Sequence, residues 1–187
     1  MPLEKIAMNR IDHICLMAEY NEWMNAKLYE AAKGLPDEEL SANKKAFFGS
    51  ILGTLNHLIV ADTVWLKRFS THPANYSSLA IMRNLPVPTS LNQVIFTDIQ
   101  SLSKHRKLLD KTIMEWARTI TDRDLDFVLS YSNMKNIAAK RNFFSLIMHF
   151  FNHQTHHRGQ TTTLLSQAGV DVGVTDMLML IPDETVA

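Results

Sequence analysis

Cysteine is nearly missing from this chain: Cys15 stands alone among 187 residues. No intramolecular disulfide can form, which points to a reducing, cytoplasmic compartment. Any bound metal must then be held by imidazoles and carboxylates, not by several thiolates. Excess charge is missing too, with 19 Lys and Arg against 19 Asp and Glu. Nucleic-acid binding normally needs a basic footprint, so zero net charge argues against it, and an anionic membrane surface finds no counterpart. No stretch approaches the ~20 apolar residues of a membrane helix. The nearest, from Ile51 to Val64, is broken by His57 and Asp62. Met1-Pro2-Leu3-Glu4-Lys5 has no basic start followed by an apolar run, so no secretory leader is expected.

Glycine and proline are scarce, six of each, and cluster between long periodic segments. That pattern predicts few, long helices. The first spans about 10–33, with Met17, Tyr20, Met24, Leu28 and Ala31 on one stripe and Gly34 then Pro36 ending it. The second spans about 44–70, with Asn43 as candidate N-cap and Phe48, Leu52, Leu55, Ile59, Leu66 and Phe69 on its apolar face. Thr71 to Ser90 holds three prolines and reads as a long crossover. A third helix covers about 91–120. Residues 121–140 read as a loop or small hairpin around Phe127-Val128-Leu129-Ser130-Tyr131. The fourth helix covers about 142–167 and stops at Gly169. In the tail, 170–187, the apolar run Met177 to Ile181 is expected to dock on the body. The fold class is all-α, a four-helix bundle in one domain over 1–187, and a chain this long can bury roughly 70% of its extended surface. There are no repeats.

What the chain does have is histidine, eight of them. Four fall between His149 and His157 on the fourth helix. His153 and His157 are four apart, hence on one helical face, and they continue the stripe through Leu146, Phe150 and Leu164 into the bundle. Two buried imidazoles without partners are costly, and a shared divalent ion relieves that cost. His57 on the second helix is the candidate third ligand, because Ser50, Gly53, Ala61 and Val64 on its face are small enough to leave a pocket wall. Close helix packing also selects small residues. Three histidines leave an ion with open positions, as in catalytic sites, and imidazole suits zinc, nickel, copper or ferrous iron.

Of the remainder, His149 is the best candidate for a fourth ligand or pocket liner, and His156 for a hydrogen-bonding group behind the ligands. His13, His72 and His105 read as surface residues. Arg106 lies in register with Leu102 and Leu109; it is expected to snorkel to the bundle edge, the alternative being to hold an anionic substrate group near the metal. Asp62 reads as a helix cap or an interhelical pair, with Arg158 as one partner. Gly159 points to close approach of another helix. Trp23, Trp65 and Trp116 read as core. No nucleophile constellation, phosphate loop or paired Glu-x-x-His motif is present, and no catalytic residue is assigned.

Tyr20-Asn21-Glu22-Trp23-Met24-Asn25, Gly53-Thr54-Leu55-Asn56-His57-Leu58-Ile59-Val60-Ala61-Asp62 and Asn152-His153-Gln154-Thr155-His156-His157-Arg158-Gly159-Gln160 together resemble the DinB/YfiT-like family of metal-dependent helical bundles. The third stretch is the most specific, and the resemblance runs from about Ile11 to Gly169. It implies an up-down-down-up bundle, a metal triad on His57, His153 and His157, and a homodimer. It also implies a divalent ion (zinc, nickel or iron) and a small-molecule substrate. That substrate class includes low-molecular-weight thiols, since relatives include thiol S-transferases and a thiol-dependent isomerase. Hydrolysis fits the generic chemistry of such an ion as well. The alternative is a non-catalytic dimeric bundle with a structural metal or a stress-related binding role.

Overall fold

The computed structural model describes residues 9–183. Residues 1–8, on which the expectation about a secretory leader falls, and residues 184–187 of the tail lie outside the described residues. Helix α1 covers Arg10–Lys33, the span expected from sequence. Its start is set locally by a capping box, in which Asn9 accepts from the N–H groups of Ile11 and Asp12 and Asp12 accepts from that of Asn9. The buried face carries Ile14, Ala18, Asn21, Met24, Asn25, Leu28, Tyr29 and Ala32, so the polar Asn21 and Asn25 lie inside the expected apolar stripe. After Pro36 comes a five-residue helix, α2 (Asp37–Ser41), which the sequence reading passed over.

Two expected helices begin later than predicted. The second, α3, covers Ile51–Phe69, and residues 44–50 form a loop. Lys45 and Gly49 have positive φ, which no helix accommodates, and Ser50 rather than Asn43 caps α3 by accepting from the Gly53 N–H. After the short α4 (Ala80–Asn84), the third long helix, α5, covers Ile99–Ala117 with Asp98 as cap. Residues 91–97 are not helical; Asn56 of α3 pins them, its Oδ1 accepting from Ile95 and Phe96 N–H and its Nδ2 donating to the Phe96 carbonyl. The hairpin is present as β1 (Val128–Ser132) and β2 (Ala138–Asn142), antiparallel with Val128 opposite Asn142. It runs directly into α6 (Phe143–Gln167), capped by the Asn142 side chain. Gly169 at φ 79° and the Val170 N–H to Leu165 C=O bond close α6 as a Schellman turn.

The chain is therefore mostly helical, with one small two-stranded sheet. The four long helices share a core: α1 packs on α5 and α6, and α3 packs on the same two. Phe69, Trp116, Phe143 and Phe150 form an aromatic cluster between α3, α5 and α6. Trp116 is fully buried, whereas Trp23 and Trp65 are only partly so. Two further expectations fail. His72 is buried against Phe143 and Tyr76 rather than on the surface. Nothing lies within 4 Å of where a Cβ on Gly159 would be, so no helix approaches there. The apolar run of the tail does meet the body: the short turn Met177–Leu180 packs against α1 with Met177 and Leu180 half-buried, Leu178 and Met179 stay exposed, and the Tyr20 hydroxyl donates to the Thr175 carbonyl at 2.8 Å. Among the described residues no helix is long and apolar enough to cross a membrane.

Candidate metal centre

His57 sits two turns into α3, and His153 and His157 sit in the middle of α6, where the two helices pack. The fold brings all three Nε2 atoms together. His157 Nε2 is 3.1 Å from each of the other two, and His57 and His153 are 3.4 Å apart. A tetrahedral ion with bonds of 2.0–2.1 Å separates its nitrogen ligands by about 3.3 Å, so the spacing fits.

The far side of two rings decides what those nitrogens carry. His57 Nδ1 donates to the Leu91 carbonyl at 2.8 Å, and His157 Nδ1 donates to Gln160 Oε1 at 2.8 Å. With the proton on Nδ1, Nε2 of each neutral ring presents a bare lone pair to the centre. Burial reinforces neutrality, pushing His57 down to about 4 and His153 to about 3, and it lowers His157 as well. Two inward lone pairs 3.1 Å apart, with the His153 ring beside them, repel one another unless a proton or a cation lies between them. The donor set therefore could hold a divalent metal ion.

Sequence reasoning missed several supports of this centre. Phe48, expected on the apolar face of a helix, lies in the loop before α3 and stacks on His57 at 3.8 Å. Gly53 lets it do so: a Cβ there would stand 2.1 Å from the Phe48 carbonyl oxygen. Leu91 comes from the non-helical 91–97 segment, 34 residues from its partner. The one available signal for Gln160 was its place three residues after His157. His156 is exposed and meets the same Gln160, Nε2 to Nε2 at 3.2 Å, so it stands behind the ligands as expected. His149 stays outside the triad, its ring 6.0 Å from that of His153, and lines the adjoining cleft. That cleft, about 480 Å³, reaches His57 and His153 and is walled by Trp65, Leu91, Met134 and Ile137.

Arg106 neither snorkels nor faces the triad. It is 2% exposed and lies between Asp62 and Asp110. Its Nη1 donates to Asp62; its Nη2 is 2.9 Å from Asp110 Oδ1 but off the N–H axis, an ion pair without a directed hydrogen bond. Burial opposes its charge, yet the two carboxylates keep its pKa above the ordinary value. Asp62 is thus an interhelical pair with Arg106, not Arg158, and accepts in addition from Gln154. Asn21 and Asn25 of α1 both donate to Asp110, and Arg158 donates to Asn21. One buried polar layer consequently ties all four long helices together directly beside the triad, through Gln154 next to His153. Burial pushes Asp110 up to about 6 and Arg158 down to about 10. Cys15 is part-buried and its thiol is pushed up, which suits no thiolate role.

The model of the DinB family matches residues 8–184, nearly the whole chain and every element above. The chain belongs to the DinB family. The curated DinB protein of Bacillus subtilis (strain 168) is 28% identical over 158 residues, covering 84% of this chain and 87% of its own. A DinB-like protein from Bacillus cereus ATCC 10987 has a crystal structure that matches with a TM-score of 0.58. At 22% identity over 83% of this chain and 91% of that one, it supports the family fold alone.

Proposed function

We propose that this DinB-family protein is a metal-dependent enzyme that holds one divalent ion on His57, His153 and His157 and acts on a small molecule. The convergence of three Nε2 atoms, two of them fixed as bare acceptors by Nδ1 donation, carries this reading. When bound, such an ion lowers the pKa of a coordinated thiol or water until it becomes a nucleophile near neutral pH. The chain's own residues do the rest. Leu91 and Gln160 orient two ligand rings, Phe48 covers His57, and Trp65, Met134 and Ile137 keep the cleft apolar beside the triad.

Thiol transfer is favoured over hydrolysis by one observation: among the described residues no Asp or Glu lines this cleft. A thiol held on such an ion would ionise without a carboxylate base, whereas metal-assisted hydrolysis ordinarily uses a nearby carboxylate. The test is metal analysis of protein purified without an affinity tag, followed by assays with small thiols and electrophilic acceptors. One ion per chain in the wild type, lost in His153→Ala, is expected. Absence of stoichiometric metal in the wild type sinks the proposal, and a metal-loaded protein inert towards every thiol and acceptor pair sinks the transfer reading.

The same proposal takes the four long helices as one up-down-down-up domain. Support comes from antiparallel pairing of α3 with α6 (His57 near His157, Trp65 near His149) and of α1 with α5 (Arg10 with Asp122, Asn25 with Asp110). Asp62 with Arg106 and Phe69 with Trp116 run α3 and α5 in the same direction. A cytoplasmic homodimer completes the reading, checked by light scattering of the purified chain.

A further inference from the structure

One face of α3 forms the floor of the cleft. His57, Ala61, Val64 and Arg68 follow the four-, seven- and eleven-residue offsets of a single helical stripe. His57 stands at one end and Arg68 at the other, their Cα atoms about 16 Å apart by helical rise, with only short side chains between. A second cavity, about 460 Å³, continues the 480 Å³ cleft along this stripe; both are lined by Val64, Arg68, Asn133 and Met134.

Arg68 is held in place without being neutralised. Its guanidinium carbon lies 4.6 Å from the centre of the Trp65 ring and 4.9 Å from that of Tyr131, so two aromatic rings flank it and restrict its rotamers. Among the described residues no carboxylate pairs with it and no acceptor takes its side-chain N–H groups. Lys67 beside it is used otherwise, its Nζ donating to the carbonyls of Met82, Arg83 and Leu85. Among the described residues no Asp or Glu lines either cavity, whereas Lys67 and Arg68 line the 460 Å³ cavity and Arg68 and Lys135 the 480 Å³ cleft. In a chain of zero net charge, this groove is a local excess of positive charge.

We propose that Arg68 is the anion-binding residue of the cleft and pairs with a carboxylate on a small substrate whose reacting end lies at the histidine triad. A planar, pre-oriented guanidinium takes a carboxylate in two parallel N–H···O bonds, and the aromatic stack removes the rotamer freedom such a pair otherwise loses. Helical side chains lean towards the N-terminus, so Arg68 leans back towards His57. The substrate is thus an elongated acid with on the order of 10–15 Å between its carboxylate and its reacting atom. This inference rests on the metal reading above.

The probes are 8-mercaptooctanoic acid and 8-mercaptooctan-1-ol, equal in length and differing in the terminal charge, titrated into zinc-loaded protein and followed by tryptophan fluorescence. The acid is expected to bind about tenfold tighter or better, as a charge-assisted hydrogen-bonded pair allows. In Arg68→Gln that advantage falls below about twofold with zinc stoichiometry unchanged, and Arg68→Lys, which keeps the charge without the fork, retains part of it. Equal binding of acid and alcohol, no binding of the acid, or an advantage that survives Arg68→Gln overturns the proposal. If the chain takes up no zinc, the metal reading fails by itself, and octanoate against octanol in zinc-free protein still decides Arg68 by the same criterion.

Discussion

Phe48 lies flat on His57, their ring centroids 3.8 Å apart and their planes 15° from parallel, and its carbonyl oxygen fills the space a Cβ at residue 53 would need. The glycine in α3 and the aromatic lid over the candidate ligand are therefore one feature. Gly53 has no positive φ to require it; the close approach of the loop backbone does.

Gly53→Ala should consequently destabilise the protein, although Ala ordinarily favours a helix over Gly by up to about 1 kcal/mol. A backbone contact at 2.1 Å cannot be relieved by a rotamer change, and overpacking of this kind costs typically 1–3 kcal/mol. Urea unfolding reads the loss, and zinc titration of the same variant should show weakened binding as Phe48 is displaced. A variant more stable than wild type would show that the loop is not seated there.

Gln160→Ala removes the acceptor that holds the His157 ring while leaving all three histidines in place. Metal affinity should fall about 10–100-fold, the usual effect of losing a partner behind a ligand. The melting temperature of the metal-free protein should change little. Competition with a chromogenic chelator measures the first, thermal denaturation the second.

Asp62→Ala leaves Arg106 and Gln154 buried without the carboxylate that accepts from both, Oδ2 from Arg106 and Oδ1 from Gln154. Breaking a buried pair from one side costs about 3–5 kcal/mol, because the remaining charge stays in a low-dielectric interior. Both side chains are at most 2% exposed, so little relief by solvent is available. A loss below about 1 kcal/mol in urea unfolding would be incompatible with a formed network.

Acidification should destabilise the metal-free protein through the site histidines. His57 and His153, held down to about 4 and about 3, titrate near 6.5 once unfolded. Below about pH 6.5 the unfolded chain binds protons that the folded chain refuses, so their contribution is present above that pH, is lost as pH falls, and levels off below the folded values. Asp110, raised to about 6, acts oppositely: the folded state holds its proton more readily between the ordinary carboxylate range and pH 6. The comparison that isolates the histidines is wild type against His153→Gln. The stability lost between pH 7 and pH 5 should be smaller in the variant, measured by urea midpoints, and equal losses would contradict the depressed titration of His153.

The spans of α1 and α6 were legible because their signals are local: Asn9 and Asn142 cap them through residues two or three away, and Gly169 ends the second. The starts of α3 and α5 were misread because Phe48 and Leu91 are apolar residues at helical spacing that serve the site from loops. Periodicity reports that a side chain is buried, not which element carries it. Arg106 shows the same limit. Its inward register was visible, but the two carboxylates that make burial tolerable sit one turn along α5 and on another helix, 44 residues back.

By itself the sequence determined a mostly helical chain, the i, i+4 histidine pair on α6, the small-residue face around His57 and the exclusion of a disulfide framework. All of these follow from composition or from repeat distances within one helix. Only the tertiary structure decided that three Nε2 atoms meet within 3.4 Å, that the Leu91 carbonyl and Gln160 fix which nitrogen of His57 and His157 faces inward, and that Arg68, at the far end of the same stripe, has no carboxylate partner among the described residues. Convergence, tautomer and unpaired charge are set by contacts between residues far apart in the chain, which no local pattern encodes.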